Sequence, residues 1–243
     1  MRLLLLADGA VGAKISDFLI EEYADDLVLI VTTKINEIYC NAQEKKIPVT
    51  VFDQDEVLSK LQSNVDLGVL AWWPKIIKSP LLELPKLGFV NTHPSLLPYN
   101  RGKHYNFWAL VEQAPFGVTL HLVDSGVDTG PVVAQQAIKY DWSDTGETLY
   151  KKAQEAIYEL FCSTYPMLRT GQFKAKPQEL HAGSFHRAYE LESASKIDLD
   201  ANYRARDLLN LLRARTFSGY PGCWFEENGA RYEISINIKK VEP

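Results

Sequence analysis

Two polar residues at the end of one predicted strand, Asn91 and His93, have side chains that could stabilise a negative charge or move a proton. They lie two positions apart in the segment 89–93, so both project from the same side of a strand. Pro94 cannot donate to a sheet ladder, which predicts that the strand stops there and leaves both groups at an open strand end. An amide and an imidazole are suited to donate hydrogen bonds to an oxyanion. An Asn-x-His pair taken alone is also compatible with a structural role.

Asp128 is the candidate carboxylate partner of this pair. It lies in the glycine-rich loop DSGVDTGP at 124–131, which follows a segment of alternating polarity. A carboxylate near His93 would raise the pKa of the imidazole and favour its charged, donating form. The residues alone show only that Asp128 follows at a compatible place in the topology. His93, His121, Asp124 and Asp128 could also be considered as metal ligands, but their spacing matches no zinc or non-haem iron pattern, so we expect no metal site.

Continuous apolar segments separated by helical ones predict the scaffold that positions these residues. We predict strands at 2–7, 27–32, 49–52, 67–71 and 89–93, and helices at 13–23, 37–46 and 55–62. Strands that are apolar throughout are typical of a parallel sheet that is covered on both faces. The predicted fold is therefore α/β, with a Rossmann-like, mostly parallel sheet and helices on both faces.

A glycine turn is predicted at 8–12, between the first strand and the first helix. Gly9 and Gly12 could let backbone amides at the helix start meet a phosphate, because helix N-termini favour anions. The complete G-x-G-x-x-G pattern is missing, so a plain tight turn is the favoured interpretation, and a phosphate contact is the alternative. Gly9 is retained as a candidate substrate contact.

The length of 243 residues, 46% of them hydrophobic, predicts one main domain and a small appendage. We place a catalytic domain at 1–175 and a C-terminal appendage at 176–243. The appendage is predicted to hold a helix at 205–214 and a β-hairpin around Asn228-Gly229, a strong hairpin signal.

Charge and cysteine content limit the possible partners and compartment. The net charge of −5 argues against a nucleic-acid partner, because nucleic-acid footprints are usually basic. The three cysteines are far apart and form no C-x-x-C pair, which fits a reducing cytoplasm. The apolar start is too short for an export signal, and no apolar run reaches the roughly 20 residues that span a bilayer. We therefore expect a cytoplasmic protein without a membrane partner.

Two motifs resemble the signature of the formyltransferases that use 10-formyltetrahydrofolate. NTHPSLLP at 91–98 is followed by DTGPV at 128–132, in the order found in glycinamide ribonucleotide transformylase, methionyl-tRNA formyltransferase and the nucleotide-sugar N-formyltransferases. The resemblance is strong over about 66–170. It implies N10-formyltetrahydrofolate as co-substrate and Asn91, His93 and Asp128 as the catalytic triad, in which the aspartate orients the histidine and relays a proton through water.

The resemblance also implies where the folate pterin ring binds. In the family, the loop at 72–77 and the loop at 124–127 hold this ring largely through backbone groups. We carry these contacts to Lys75, Ile77, Asp124, Ser125 and Val127. At least one residue of the pair Trp72-Trp73 is expected to line a cavity rather than the core, and Trp73 is the better candidate.

The acceptor is predicted from the segment 99–110 and from the tail at 213–222, which resemble those of nucleotide-sugar N-formyltransferases. Asn106 and Trp108 stand in their expected places. We expect Asn106 near the sugar amine and an aromatic residue, Tyr105 or Trp108, near the sugar. The pyrophosphate of such a substrate needs cations, which could come from residues on two segments: Arg101, Lys103, Arg213 and Arg215. The same charges could simply be solvated.

The predicted acceptor is a dTDP-linked 4-amino-4,6-dideoxyglucose destined for a surface polysaccharide. The next candidate acceptors are the 3-amino isomer and UDP- or GDP-linked amino sugars. Alternatives are glycinamide ribonucleotide, methionyl-tRNA, which the short tail disfavours, and a folate- or nucleotide-binding regulator without turnover. The resemblance further implies a homodimer, for which the C-terminal hairpin could provide the contact.

Overall fold

A computed structural model describes residues 1–61 and 64–241 of the chain and contains a mostly parallel seven-stranded sheet. The strands of this sheet are β1 Leu3–Ala7, β2 Leu27–Thr32, β3 Val49–Val51, β4 Leu67–Ala71, β5 Phe89–His93, β7 Gly117–Leu122 and β8 Val132–Ala137. Their order is β3-β2-β1-β4-β5-β7-β8. The pairs from β3 to β5 are parallel, whereas β7 pairs antiparallel with both β5 and β8. The predicted fold class is confirmed.

Helices cover both faces of this sheet. Every residue of the central strand β1 is therefore buried, and all of them are apolar. Leu3 and Leu5 face one core cluster, and Leu4 and Leu6 face the other. The helices are α1 Gly9–Tyr23, α2 Glu37–Glu44, α3 Gln54–Lys60, α4 Tyr105–Val111, α5 Gly146–Arg169, α6 Glu190–Ala194 and α7 Ala205–Arg215. The larger cluster includes side chains of α1, α2, α4 and α5, and the smaller one includes Val57 of α3. Alternation along the strand therefore fills two separate cores.

The start of α1 corrects the predicted glycine turn at 8–12. The helix begins at Gly9, four residues earlier than predicted, and Gly12 lies inside it. A Cβ on Gly12 would lie 2.9 Å from the carbonyl oxygen of Ala71. Gly12 therefore allows the helix to pack closely on the sheet and is not part of a turn. The predicted end of the third helix, Gln62, lies outside the described residues.

Two small sheets complete the fold. β6 Arg101–Gly102 pairs with β9 Phe185–His186, and β10 Cys223–Glu227 pairs with β11 Ala230–Ile234. The second pair is the hairpin predicted around Asn228-Gly229. Ile197, Leu212 and Cys223 form a third apolar cluster, which joins α7 to the hairpin. Within residues 1–61 and 64–241, the helices lack the combination of length and apolarity that a membrane span requires.

Candidate active site

The structure brings Asp128 close to His93. His93 lies at the carboxyl end of β5, whereas the loop that carries Asp128 begins beside the amino end of β5. Leu122 pairs with Val90, so β7 ends near the beginning of β5. The following loop folds back, with Asp128 in the left-handed region at φ 53°. Asp128 Oδ1 then lies 3.4 Å from His93 Nδ1, and Asp128 Oδ2 accepts a hydrogen bond of 3.0 Å from the Gly102 amide. The predicted proximity of this acid to the histidine is found.

His121 is a fourth member of the cluster that the sequence analysis considered only as a metal ligand. Its Nδ1 lies 2.8 Å from the Leu122 carbonyl oxygen, which can only accept, so this nitrogen carries the proton. In the neutral ring, Nε2 is then an acceptor, and it lies 3.1 Å from Asn91 Nδ2. His121 therefore orients the Asn91 amide. Its place opposite Asn91 in the β5–β7 ladder could have been found only by knowing the strand register.

Burial controls the protonation of the cluster. Desolvation lowers the pKa of His93 below its usual value, and the opposing effect of Asp128 only partly compensates. The expectation of a raised pKa for His93 is therefore wrong, because the ring is 5% exposed and loses more solvation than the carboxylate returns. Burial alone would raise the pKa of Asp128, but His93 and His121 hold it well below its usual range. At neutral pH the pair is an ionised carboxylate facing a neutral imidazole.

His93 carries an unpaired buried atom that points to a ligand. Its Nδ1 faces Asp128, and its Nε2 is buried without a hydrogen-bond partner among the described residues. Buried polar atoms normally have a partner, so Nε2 is the natural contact for a reacting group. One nitrogen of each histidine and one oxygen of Asp128 lie within 4.8 Å of one another, close enough to share a cation. The expectation of no metal stays a prediction.

The residues predicted to contact the pterin ring lie in two loops beside the smaller core cluster. Ile77 is buried in this cluster, and Trp73 and Val123 pack against it. Trp73 contacts Phe52 edge-on at 5.2 Å between ring centroids, and Lys75 is exposed. In the second loop the residues Asp124, Ser125 and Val127 are exposed. The two loops therefore adjoin the same apolar cluster, and both contain exposed residues.

Among the predicted sugar contacts, Tyr105 lies nearest to the catalytic cluster. Its ring centroid is 6.4 Å from that of His93, and burial raises the pKa of its phenol well above the usual value. Asn106 instead donates a 2.8 Å hydrogen bond to the Gly146 carbonyl at the start of α5. Trp108 stacks on His186 with centroids 3.7 Å apart. Asn106 and Trp108 thus have contacts within the protein.

The predicted phosphate-binding cations are placed differently from one another. Arg101 is half-buried with its guanidinium 5.9 Å from the Phe185 ring, Lys103 is exposed, and Arg215 is half-buried at the end of α7. Arg213 is 5% exposed and donates to the carbonyl oxygens of Asp141 and Asp144. Nε of Arg213 binds Asn210 and Nη1 binds the loop before α5, which gives Arg213 a structural role; its predicted contact with the substrate stays a prediction.

Gly9 keeps its place as a candidate phosphate contact at the first residue of α1. It has φ +61°, and a Cβ there would lie 3.3 Å from Trp72 Cδ1. Only glycine adopts this conformation at little cost. The backbone amides at the start of α1 therefore lie beside the loop that follows β4.

Comparison with known proteins identifies the class to which this fold and cluster belong. Residues 1–164 match the formyl transferase family, and residues 190–240 match the N-formyltransferase dimerization C-terminal domain. The chain belongs to the formyltransferase family.

Several curated relatives are similar over about two thirds of the chain. A methionyl-tRNA formyltransferase from Thermodesulfovibrio yellowstonii is 35% identical over 161 residues, which are 65% of this chain and 51% of the relative. A dTDP-4-amino-4,6-dideoxyglucose formyltransferase from Mycobacterium tuberculosis is 28% identical over 155 residues, 63% of this chain and 66% of the relative. The chain thus spans about half and about two thirds of the lengths of these relatives.

Solved structures are similar over more of the chain. A sugar N-formyltransferase from a Shewanella species has a TM-score of 0.83 at 20% identity and covers 100% of this chain and 99% of its own. The formyltransferase PseJ from Anoxybacillus kamchatkensis, in complex with UDP-4,6-dideoxy-4-formamido-L-AltNAc and tetrahydrofolate, has a TM-score of 0.61 at 29% identity and covers 79% of this chain and 89% of its own. The fold is therefore that of the formyltransferases along its whole described length.

Proposed function

We propose that this protein transfers a formyl group from N10-formyltetrahydrofolate to the amino group of a nucleotide-linked sugar. The observation that carries the proposal is the pairing of His93 Nδ1 with Asp128 Oδ1 at 3.4 Å, which leaves the buried Nε2 of His93 for the reacting amine. Asn91, at the same strand end, supplies an amide donor beside it. This is the donor and base set that acyl transfer to an amine needs.

The reaction uses each of the three residues in a separate role. Attack of the amine on the formyl carbon forms a tetrahedral intermediate with an oxyanion and a protonated nitrogen. Asn91 Nδ2 has two N–H groups, of which one faces His121 and the other is available to the oxyanion. Neutral His93 takes the proton of the amine on Nε2, and ionised Asp128 stabilises the imidazolium that forms. His93 then returns the proton to the leaving folate nitrogen, so protons balance over the cycle.

The folate ring is assigned to the surface between the loops 72–77 and 124–127. Both loops border the smaller core cluster through Trp73, Ile77 and Val123. The residues from Asp124 to Val127 are exposed, and their backbone groups are the proposed contacts to a heteroaromatic ring. The complex of PseJ with tetrahydrofolate supports a folate co-substrate for this family fold.

For the acceptor, we propose dTDP-4-amino-4,6-dideoxyglucose, with the product entering a surface polysaccharide. The name of the M. tuberculosis relative supports this sugar, and the complex of PseJ with a UDP-linked 4-formamido sugar supports a nucleotide-sugar acceptor. Arg101, Lys103, Arg215 and the α1 amides at Gly9 are the candidate contacts to the pyrophosphate. Tyr105 is the candidate contact to the sugar.

An assay with purified protein tests the proposal. Formation of tetrahydrofolate and a formamido sugar is measured with N10-formyltetrahydrofolate and a panel of dTDP-, UDP- and GDP-linked 3-amino and 4-amino sugars. Glycinamide ribonucleotide and methionyl-tRNA are included as competing acceptors. Turnover of the dTDP-4-amino sugar at the highest kcat/KM is expected. Turnover confined to glycinamide ribonucleotide would contradict the choice of acceptor, and folate binding without any turnover would favour a regulator.

Methionyl-tRNA is the second candidate acceptor, because the relative with 35% identity carries that name. The net charge of −5 gives little attraction for a polyanion, and binding to tRNA should fall steeply with salt if it occurs. Sole turnover of methionyl-tRNA in the same panel would establish this alternative.

The hairpin β10–β11 is the proposed dimer contact. Phe225 and Tyr232 stack across it at 5.2 Å, and Tyr232 is 48% exposed. Tyr232→Glu should convert the dimer to monomer in sedimentation velocity experiments, because it buries a charge in an apolar contact. Leu199→Glu, at an exposed site of the same region, is the control. A Tyr232→Glu protein that stays dimeric would exclude this face.

A further inference from the structure

The segment that follows α5 and precedes the second family match contacts the loops of the candidate active site. Residues 172–189, called here the connector, follow α5 and lead into α6. The connector contains one short 3-10 turn and the two-residue strand β9. Its backbone bonds to the loop after β5 and to the start of β8, and the side chain of Gln178 bonds to the loop after β7.

The connector is fixed at two points, to the start of β8 and to the loop that carries Asp128. Lys176 exchanges backbone hydrogen bonds of 2.7 and 2.8 Å with Val132. Two residues further on, Gln178 Nε2 donates to the carbonyl oxygen of Asp128 at 3.0 Å and to that of Gly130 at 2.7 Å. Carbonyl oxygens accept only, so the NH2 group of Gln178 must face them. Its Oε1 is buried without a hydrogen-bond partner in the described part of the chain.

The connector also touches the other side of Asp128, through Gly102. β9 pairs with β6, and the Lys103 amide donates to the His186 carbonyl oxygen at 3.0 Å. A Cβ on Gly102 would lie 2.2 Å from that same oxygen, so the two backbones are in direct contact. The Gly102 amide donates to Asp128 Oδ2. The connector therefore fixes the backbone of Asp128 through Gln178, and it also fixes the segment whose Gly102 amide holds the Asp128 carboxylate.

Side chains hold β9 itself in place. His186 Nε2 lies 2.6 Å from a Glu112 oxygen, its Nδ1 lies 3.0 Å from a Glu190 oxygen, and its ring stacks on Trp108. Ser184 Oγ donates to the other oxygen of Glu112 at 2.7 Å. These contacts join the connector to α4 at one end and to α6 at the other.

We propose that Gln178 is a positioning residue for Asp128, and that the connector as a whole sets the distance between this carboxylate and His93. The inference rests on the catalytic role proposed for Asp128. Asp128 has a left-handed backbone, which is unfavourable for a residue with a Cβ. The two hydrogen bonds from Gln178 fix the Asp128–Thr129 and Gly130–Pro131 peptides and so keep Oδ1 turned towards the imidazole.

Gln178→Met tests the proposal, because methionine has a similar length without the two donors. We expect kcat to fall about 10- to 100-fold, the size of effect that a small misplacement produces. KM for both substrates should change less than about threefold. The pKa of His93 should move down, because Asp128 raises it against the effect of burial, and the acid limb of the kcat profile should follow. Gln178→Asn keeps the donors on a shorter chain and should lie between wild type and Gln178→Met.

The titration of His93 is measured by NMR on the isotope-labelled full chain, so this readout does not require turnover. Gln113→Met is the matched control, because Gln113 also links the N- and C-terminal regions, through Asp207 at 3.5 Å, and lies outside the connector. It should leave kcat and the His93 titration unchanged. Unaltered kcat and His93 titration in both Gln178 variants would overturn the inference. If the wild type turned over none of the acceptors, the proposed function would fail, and the NMR titration would still decide whether Gln178 positions Asp128.

Discussion

Removing the charge of Asp128 is the most direct test of the proposed chemistry. In Asp128→Asn the amide oxygen can still accept from Gly102, so the loop keeps one of its contacts, while the negative charge beside His93 is lost. Unit charges 3.4 Å apart attract by about 5 kcal/mol at an effective dielectric constant of about 20. This value is the upper limit of what Asp128 can contribute to stabilising the imidazolium.

We therefore expect kcat to fall by about 10²- to 10³-fold, which corresponds to about 3–4 kcal/mol of transition-state stabilisation. The direction of the pH effect follows from the opposing influences on His93. Burial lowers the pKa of His93 and Asp128 raises it, so the variant should have a still lower pKa. Because neutral His93 is the base, the acid limb of the kcat profile should move to lower pH.

Steady-state kinetics over a range of pH, with saturating co-substrate, measures both effects. Asp200→Asn is the control, since it removes the same charge from an exposed site in the C-terminal region. A kcat within about fivefold of wild type and an unmoved acid limb in Asp128→Asn would refute the proposed role. Folate binding measured by calorimetry should be retained, which separates lost chemistry from lost folding.

Three further outcomes are expected. His121→Gln should lower kcat about tenfold or more with little change in KM, because the acceptor that orients Asn91 is replaced by a flexible amide; steady-state kinetics tests this. Arg213→Met should lower the free energy of unfolding in urea by about 2–4 kcal/mol, because a buried guanidinium with several hydrogen bonds is lost. Although burial raises the pKa of Asp26, hydrogen bonds from Arg169 help to hold it below its usual value. That stabilisation is present above about pH 4 and is lost as pH falls through the lowered pKa, so urea unfolding of Arg169→Met should show the largest deficit at neutral pH.

The strand that carries Asn91 and His93 could be predicted because its causes are local. Apolar residues form the strand, and Pro94 follows it directly; both features can be seen in the sequence. The same applies to β1, whose uninterrupted leucines predicted a strand buried on both faces. The positions of Asn91 and His93 follow from these elements with no knowledge of distant contacts.

The relation of Asp128 and His121 to this strand depends on pairing that local sequence does not encode. β7 runs antiparallel to β5. The loop that carries Asp128 therefore leaves the sheet beside the amino end of β5 and folds back towards His93 at the carboxyl end. His121 faces Asn91 only because of the register between the two strands. Register is set by packing over the whole sheet, and one isolated segment does not reveal it.

Arg213 and Gly12 show a second limit of the sequence. Both residue types are common in phosphate-binding sites, and both serve packing here: Arg213 binds loop carbonyls, and Gly12 lets α1 approach the sheet. Composition indicates what a side chain can bind, whereas burial decides what it does bind. The domain boundary at 175 stays a prediction, as do the roles assigned to the individual substrate contacts.

The face-to-face contact of Trp108 with His186, at 3.7 Å and 8° between the rings, gives the chain an internal optical reporter. An imidazole in contact with an indole quenches its fluorescence, so emission from Trp108 should be weak while the connector is seated and should rise when β9 separates from α4. A protein that keeps only this tryptophan would report the seating of the connector in real time, with no added dye and no turnover.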